Sequence, residues 1–75
     1  MRFSIYGRFQ IDIRRDGDCW VAYRVDLGKR RRVDDLVIPG ELRDEEMVNY
    51  LDAFFHELAR PGERVEQVEE YDRGT

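Results

Sequence analysis

Several residue types that carry chemistry are almost missing from this chain of 75 residues. It has one cysteine (Cys19), one histidine (His56), one serine (Ser4) and one threonine (Thr75). A single cysteine excludes a disulfide framework, and one histidine without a cysteine pair makes a poor transition-metal site. No apolar run approaches the roughly 18 residues of a membrane-spanning helix. We therefore expect no metal, no cofactor and no transmembrane segment.

The remaining chemistry does not favour an enzyme. Phosphate-binding loops and nucleophile elbows are absent. The acidic pairs Asp34-Asp35 and Glu45-Glu46 would need a cleft that raises one carboxyl pKa, which a domain this small rarely holds. Cys19 is expected in the core and His56 on the polar side of a helix. The chain is predicted to be non-enzymatic.

The first residues and the charge pattern bear on location and partners. The start of the chain alternates in polarity and lacks the apolar stretch of a signal peptide, so a cytoplasmic protein is expected. Of 30 charged residues, 13 are basic and 17 acidic. Residues 1–40 have a balance of +3 and residues 41–75 a balance of −7. This charge asymmetry can orient the chain as it meets a partner, or it can favour antiparallel self-association.

Two stretches alternate with the period of a half-buried strand. In residues 2–14 the apolar positions are Phe3, Ile5, Phe9, Ile11 and Ile13, and in residues 18–27 they include Cys19, Val21, Tyr23 and Val25. Between them lies Arg15-Asp16-Gly17, a hairpin signal. A three-residue loop would pair Ile13 with Cys19 and Ile11 with Val21, which keeps both apolar sides on one face. That register is the one predicted.

The remaining chain predicts a third strand and one helix. Residues 28–31 are a predicted turn and residues 32–38 a shorter strand. An N-cap at Asp44 and the Pro61-Gly62 stop predict an amphipathic helix that ends near residue 60. The fold class is α+β: a two-layer sandwich with an antiparallel three-stranded sheet and one helix (β-β-β-α). Residues 1–62 form the predicted domain, and residues 63–75 are an acidic segment for which a short helix, an edge strand or a tail remain open.

One helix covers only one face of a sheet, which leaves the other face for binding. In the predicted register this open face carries Arg2, Tyr6, Arg8, Gln10, Asp12, Arg14, Asp18, Trp20, Ala22, Arg24 and Asp26. Trp, Tyr and Arg are enriched at interaction hot spots. We expect protein binding, or self-association as a homodimer, through Tyr6, Arg8, Trp20 and Arg24. On this hypothesis Trp20→Ala leaves the fold intact and weakens association.

Single-stranded RNA or DNA binding is the alternative. It would use stacking aromatics and arginines of the same face together with a basic loop of Lys29, Arg30, Arg31 and Arg32. Three aspartates interleave with those arginines and the whole chain is acidic, whereas nucleic-acid-binding domains usually have a basic balance. Protein binding is therefore the preferred hypothesis.

Several short motifs resemble a family of short bacterial proteins of unknown function. They are Tyr6-Gly7, Gly17-Asp18-Cys19-Trp20, Gly28-Lys29-Arg30-Arg31, Val37-Ile38-Pro39, Tyr50-Leu51-Asp52 and His56-Glu57. The resemblance covers about residues 3–62 and implies no chemical activity.

The order of elements is also similar to HicB-type antitoxin domains, which bind and neutralise a small toxin. The Pro-Gly-Cys turn typical of that family is absent, since Lys29 follows Gly28. The likeness implies a protein-binding role and assigns no residue.

Overall fold

A computed structural model describes residues 1–26 and 28–68. Its strands are β1 (Arg2–Ile5), β2 (Phe9–Asp16), β3 (Cys19–Asp26), β4 (Lys29–Arg32) and β5 (Val65–Val68). The helix α1 (Met47–Phe54) lies between 3-10 turns at Asp44–Glu46 and His56–Leu58. All paired strands are antiparallel, in the order β4-β3-β2-β1-β5.

The predicted three-stranded sheet is wrong, because the sheet has five strands. Residues 2–14 form two strands, separated by a turn at Tyr6 and Gly7 with φ of 58° and 72°. The Arg8 N–H donates to the carbonyl of Ile5 at 3.0 Å and closes the turn. Two consecutive positive φ angles are typical of a type I′ turn, which suits the twist of a hairpin.

The predicted register between the second and third alternating stretches is also wrong. Ile13 pairs with Ala22 and Asp16 with Cys19, so the loop consists of Gly17 and Asp18 alone. Gly17 has a φ of 64°, as the first position of a type II′ turn requires. The register differs from the predicted one by three residues, and a shift by an odd number turns every side chain of β3 to the opposite face from the one predicted.

The predicted turn at residues 28–31 and strand at residues 32–38 are displaced along the chain. Lys29–Arg32 is strand β4, whereas the following segment forms no further strand and has an isolated bridge between Ile38 and Trp20. Leu36 and Ile38 are buried there, while Val37 is 72% exposed. The apolar residues of this segment fill a corner of the core and do not pair along a strand.

The helix forms where predicted but is shorter. Arg43 is the N-cap of the 3-10 turn Asp44–Glu46, where its backbone N–H donates to Glu46 Oε1 at 2.9 Å, and Glu46 is the N-cap of α1, so the predicted cap at Asp44 is wrong. Acidic residues fill the first turn, where the helix dipole favours negative charge. The regular helix ends at Phe54, and a 3-10 turn takes the chain toward Pro61.

The core lies between α1 and one face of the sheet. Met47 and Leu51 from the helix are fully buried, as are Phe3, Ile5 and Ile11 from β1 and β2. The core is completed by Tyr6, Ile13, Ala22, Leu36, Ile38 and Val65.

Strand β5 lies within residues 63–75, the segment for which the sequence leaves a short helix, an edge strand or a tail open. It pairs with β1 and contributes Val65 to the core. Residues 69–75, the remainder of that segment, lie outside the described residues. In residues 1–26 and 28–68, no helix combines the length and apolar character needed to cross a membrane.

Candidate protein-binding face

The sheet face opposite α1 is the candidate site, and we call it the open face. Direct cross-strand partners share a face, so the pairs Arg2–Asp12, Asp12–Tyr23 and Tyr23–Arg32 place these four residues there. By the same alternation the open face also carries Ser4, Gln10, Arg14, Val21, Val25, Arg30, Glu66 and Val68. The predicted placement of Arg2, Gln10, Asp12 and Arg14 on this face is confirmed.

Asp12 is a fully buried carboxylate at the centre of the open face. Its Oδ2 atom lies 2.8 Å from Arg30 Nη2, 3.2 Å from Arg14 Nη2 and 3.6 Å from Arg2 Nη2. These arginines come from three strands and cover the carboxylate, with about half of the Arg14 and Arg30 side chains still exposed (49% and 43%). We call the four residues the arginine cluster.

In the arginine cluster one carboxylate faces three guanidinium groups. Three guanidinium groups and one carboxylate leave a net charge of +2. They bring about fifteen N–H donors to a carboxylate that accepts about four. Asp12 Oδ1 and Arg2 Nε are buried and have no hydrogen-bond partner among the described residues. The Arg30 guanidinium, with 43% of its side chain exposed, is the part of the cluster that can reach an additional oxyanion.

An aromatic ring flanks the arginine cluster. The Arg30 guanidinium carbon lies 4.9 Å from the centroid of the Tyr23 ring, within the range of a cation–π contact. Tyr23 also stands directly across from Asp12. The ring helps to hold Arg30 in the geometry in which it contacts the carboxylate.

The predicted positions of Trp20 and Arg24 on the open face are wrong. Both lie on the helix side of β3, because Arg24 pairs with Ile11 and Trp20 pairs with Arg15. The Trp20 indole N–H donates to the Leu42 carbonyl at 3.1 Å. The Arg24 guanidinium lies 4.1 Å from the Phe9 ring centroid, although Arg24 remains exposed on the helix side.

Tyr6 and Arg8 belong to the turn between β1 and β2 and not to the open face. The Tyr6 hydroxyl donates to Asp52 Oδ1 at 2.6 Å, and the residue is buried. Arg8 forms an ion pair with Glu63 at 3.1 Å. Arg8 and Arg24 are not cross-strand partners, because Arg24 faces Ile11.

The predicted basic loop is part of the sheet. Lys29, Arg30, Arg31 and Arg32 form β4, and of these Arg30 joins the arginine cluster. Sequence reasoning missed this role because β4 was interpreted as a turn. A like-charge pair does occur, between Arg24 and Arg31 on the helix side.

The expectation that Cys19 is a core residue is wrong, because the register shift leaves its thiol exposed at the end of β3. His56 is exposed at the 3-10 turn after α1. Across the part of the chain that the structure describes, no three histidine, cysteine, aspartate or glutamate side chains are grouped to hold a metal ion.

Comparison with known proteins gives a family but no activity. A family model described as "Domain of unknown function (DUF7661)" matches residues 1–69. The chain belongs to this family. The matched part of the DUF7661 domain includes all five strands, α1 and the complete arginine cluster. No curated protein and no solved structure matches the chain. The family match bears on neither bacterial origin nor the likeness to HicB-type antitoxins.

Tyr6 gives the DUF7661 domain a measurable dependence on alkaline pH. Burial, then the hydrogen bond and negative charge of Asp52, with Glu63 adding to them, raise the pKa of Tyr6 from 10.0 to about 12. Below pH 10 the hydroxyl is protonated in both states and its stabilising effect is complete. Between pH 10 and 12 the unfolded chain loses this proton first, so the free energy of unfolding falls.

We expect Tyr6→Phe to lower the free energy of unfolding by about 1 kcal/mol at neutral pH, through the lost hydrogen bond. The difference from wild type should shrink between pH 10 and 12. Urea denaturation of both proteins across this range measures it, and the comparison cancels the titration of the other tyrosines. A difference that stays constant up to pH 12 would contradict the role of the Tyr6 hydroxyl.

Proposed function

We propose that this DUF7661 domain is a protein-interaction module whose open face binds an acidic surface of a partner protein. The observation that carries the proposal is the arginine cluster, a net positive and donor-rich group on a sheet face opposite the helix. Guanidinium groups bind carboxylates through paired, charge-assisted hydrogen bonds, so glutamate and aspartate side chains are the matching ligands.

The site has the composition of an interaction hot spot. Arginine and tyrosine are enriched where binding energy concentrates, and here Arg30 contacts both the Tyr23 ring and Asp12. The aliphatic Val21 and Val25 lie on the same face of β3. A partner can therefore pair its carboxylates with the arginines and place apolar atoms against Val25, which is half-buried, whereas Val21 is already buried.

A different acidic protein is favoured over a second copy as the partner. An isologous dimer through the open face would bring two arginine clusters of +2 toward each other, and like charges oppose such pairing. The net charge of −7 in residues 41–75 would instead allow an offset dimer, in which the acidic half of one chain faces the arginine cluster of the other. Sedimentation equilibrium tests self-association directly, and a concentration-dependent dimer would replace the different partner by a second copy.

Charge reversal within the arginine cluster tests the proposal. We expect Arg14→Glu to weaken binding of a fluorescein-labelled glutamate-rich peptide by about tenfold or more at low salt, because it replaces a charge-assisted donor by a repelling carboxylate. Arg43→Glu is the matched control, since Arg43 is 75% exposed and precedes α1, outside the open face. Fluorescence anisotropy gives the dissociation constants.

The two variants separate a specific site from general electrostatics. Equal weakening by Arg14→Glu and Arg43→Glu would contradict a site at the arginine cluster. Absence of peptide binding to the wild-type protein at millimolar concentration would contradict the proposed function.

Single-stranded nucleic acid is the second candidate, and the Tyr23 ring beside the arginines favours it. Base stacking on an aromatic ring within a positive surface is the usual mode for such ligands. A labelled oligothymidylate in the same anisotropy format measures it over a salt series. Tighter binding of the oligonucleotide than of the peptide, with loss in Tyr23→Leu, would make nucleic acid the ligand.

A further inference from the structure

Strand β4 has an outer edge that pairs with no other strand in the described part of the chain. The Val33 N–H donates to the Ala22 carbonyl at 2.9 Å, which sets the phase of the ladder between β3 and β4. In antiparallel pairs, hydrogen-bonded and non-hydrogen-bonded positions alternate. The N–H and C=O groups of Lys29 and Arg31 therefore face β3, whereas those of Arg30 and Arg32 face outward.

The side chains along this edge are all basic and exposed. Lys29, Arg30, Arg31 and Arg32 alternate between the two faces of the sheet. Arg30 extends over the open face to Asp12. On the helix side, Lys29 and Arg31 line an open groove of about 790 Å³ whose lining also includes Arg24, Arg32 and the carboxylates of Asp26, Asp34 and Asp35. A strand laid along β4 would therefore meet the basic side chains of β4 on both faces, beside three carboxylates on the helix side.

We propose that the β4 edge binds an extended acidic segment of the partner protein as a sixth strand of the sheet. This inference rests on the proposed function and adds the conformation in which the acidic partner binds. Strand addition takes its affinity from main-chain hydrogen bonds and its specificity from alternating side chains. Glutamates at successive positions of the segment would face arginines on the open face and basic residues of the groove in turn.

The same charges restrict which strands can pair with β4. Lysine-rich and arginine-rich edges oppose edge-to-edge association of identical chains, so two β4 strands repel each other. An acidic strand meets the opposite condition, because each cross-strand pair joins opposite charges. The β4 edge thus selects by charge between a second copy of itself and an acidic segment.

Amide hydrogen exchange, followed by NMR, tests the inference on the full chain. The probe is a synthetic peptide of alternating glutamate and threonine. At saturating peptide we expect the amides of Arg30 and Arg32 to exchange at least about tenfold more slowly, because they become hydrogen-bonded. The amides of Lys29 and Arg31 already face β3 and should change little. A peptide with N-methyl groups at alternate residues keeps its charge. It lacks the N–H donors for the Arg30 and Arg32 carbonyls, and its methyl groups block strand pairing, so it should not give this protection.

Each other outcome overturns the inference in a distinct way. Chemical-shift changes at Arg14 and Tyr23 without slower exchange at Arg30 and Arg32 would leave the proposed function standing and remove strand addition. Equal protection by the N-methylated peptide would also remove it. Protection that rises with protein concentration alone, together with a dimer in sedimentation, would assign the edge to a second copy. No response to the peptide would contradict both proposals.

Discussion

Replacing Asp12 by asparagine is expected to lower the free energy of unfolding by about 2–4 kcal/mol. The carboxylate is fully buried and is contacted by three arginines. Removal of one partner from a buried ionic group leaves charge uncompensated and typically costs about 3–5 kcal/mol. The lower range applies because Arg14 and Arg30 are about half exposed (49% and 43%), and water can partly solvate them.

Urea denaturation followed by Trp20 fluorescence measures this effect, since Trp20 is the only tryptophan. Asp35→Asn is the control, because it makes the same chemical change at an exposed position. Sulfate should stabilise Asp12→Asn more than wild type, because the variant leaves three guanidinium groups without the compensating carboxylate charge and a bound anion can neutralise them from the exposed side. A loss of stability no larger than that of Asp35→Asn would mean that Asp12 does not hold the arginine cluster together.

The sequence predicted the composition of the strands better than their pairing. Alternation identified most residues of β1, β2 and β3, but it did not reveal the turn at Tyr6–Arg8 and it placed β4 in a turn. A loop of three residues joins Ile5 and Phe9 on the same face, so the apolar alternation continues through the turn without a break. The turn depends on positive φ angles at Tyr6 and Gly7, and of these two residues only glycine is typical of such an angle.

The register of β2 and β3 failed for a different reason. Matching of the apolar sides assumed that the helix covers the whole sheet, whereas α1 contacts β1 and β5. At β3 the helix side is covered by the segment that carries Leu36 and Ile38. The valines of β3 face the open side, beside the arginines. The sequence pattern does not indicate which segment covers which strand.

The arginine cluster was predictable in part. Arg2, Asp12 and Arg14 were placed together on the open face by alternation, and the hairpin at Gly7 would have set Arg2 directly across from Asp12. The contribution of Arg30 depends on β4 lying beside β3. That placement follows from the pairing of Asp26 with Lys29, and the run of basic residues after Gly28 resembles a solvated turn.

Trp20→Ala is expected to destabilise the fold by about 2–4 kcal/mol, in contrast to the expectation that Trp20 acts only in association. The ring packs against the core, and its N–H donates to the Leu42 carbonyl. Its backbone forms the bridge to Ile38. Tryptophan-to-alanine changes in a core cost about 3–5 kcal/mol, and partial exposure of this ring reduces the value.

The comparison of two variants separates the contributions of the Trp20 ring. Trp20→Phe keeps most of the aromatic packing and loses only the indole donor, so a loss of about 1 kcal/mol is expected. Circular dichroism in urea is the measurement, since both variants lack the fluorescent indole. An unchanged denaturation midpoint for Trp20→Ala, together with weaker binding of the glutamate-rich peptide, would return Trp20 to a role in binding. A large loss of stability assigns it instead to holding residues 38–42 against β3, the strand whose opposite face carries Tyr23 beside Asp12.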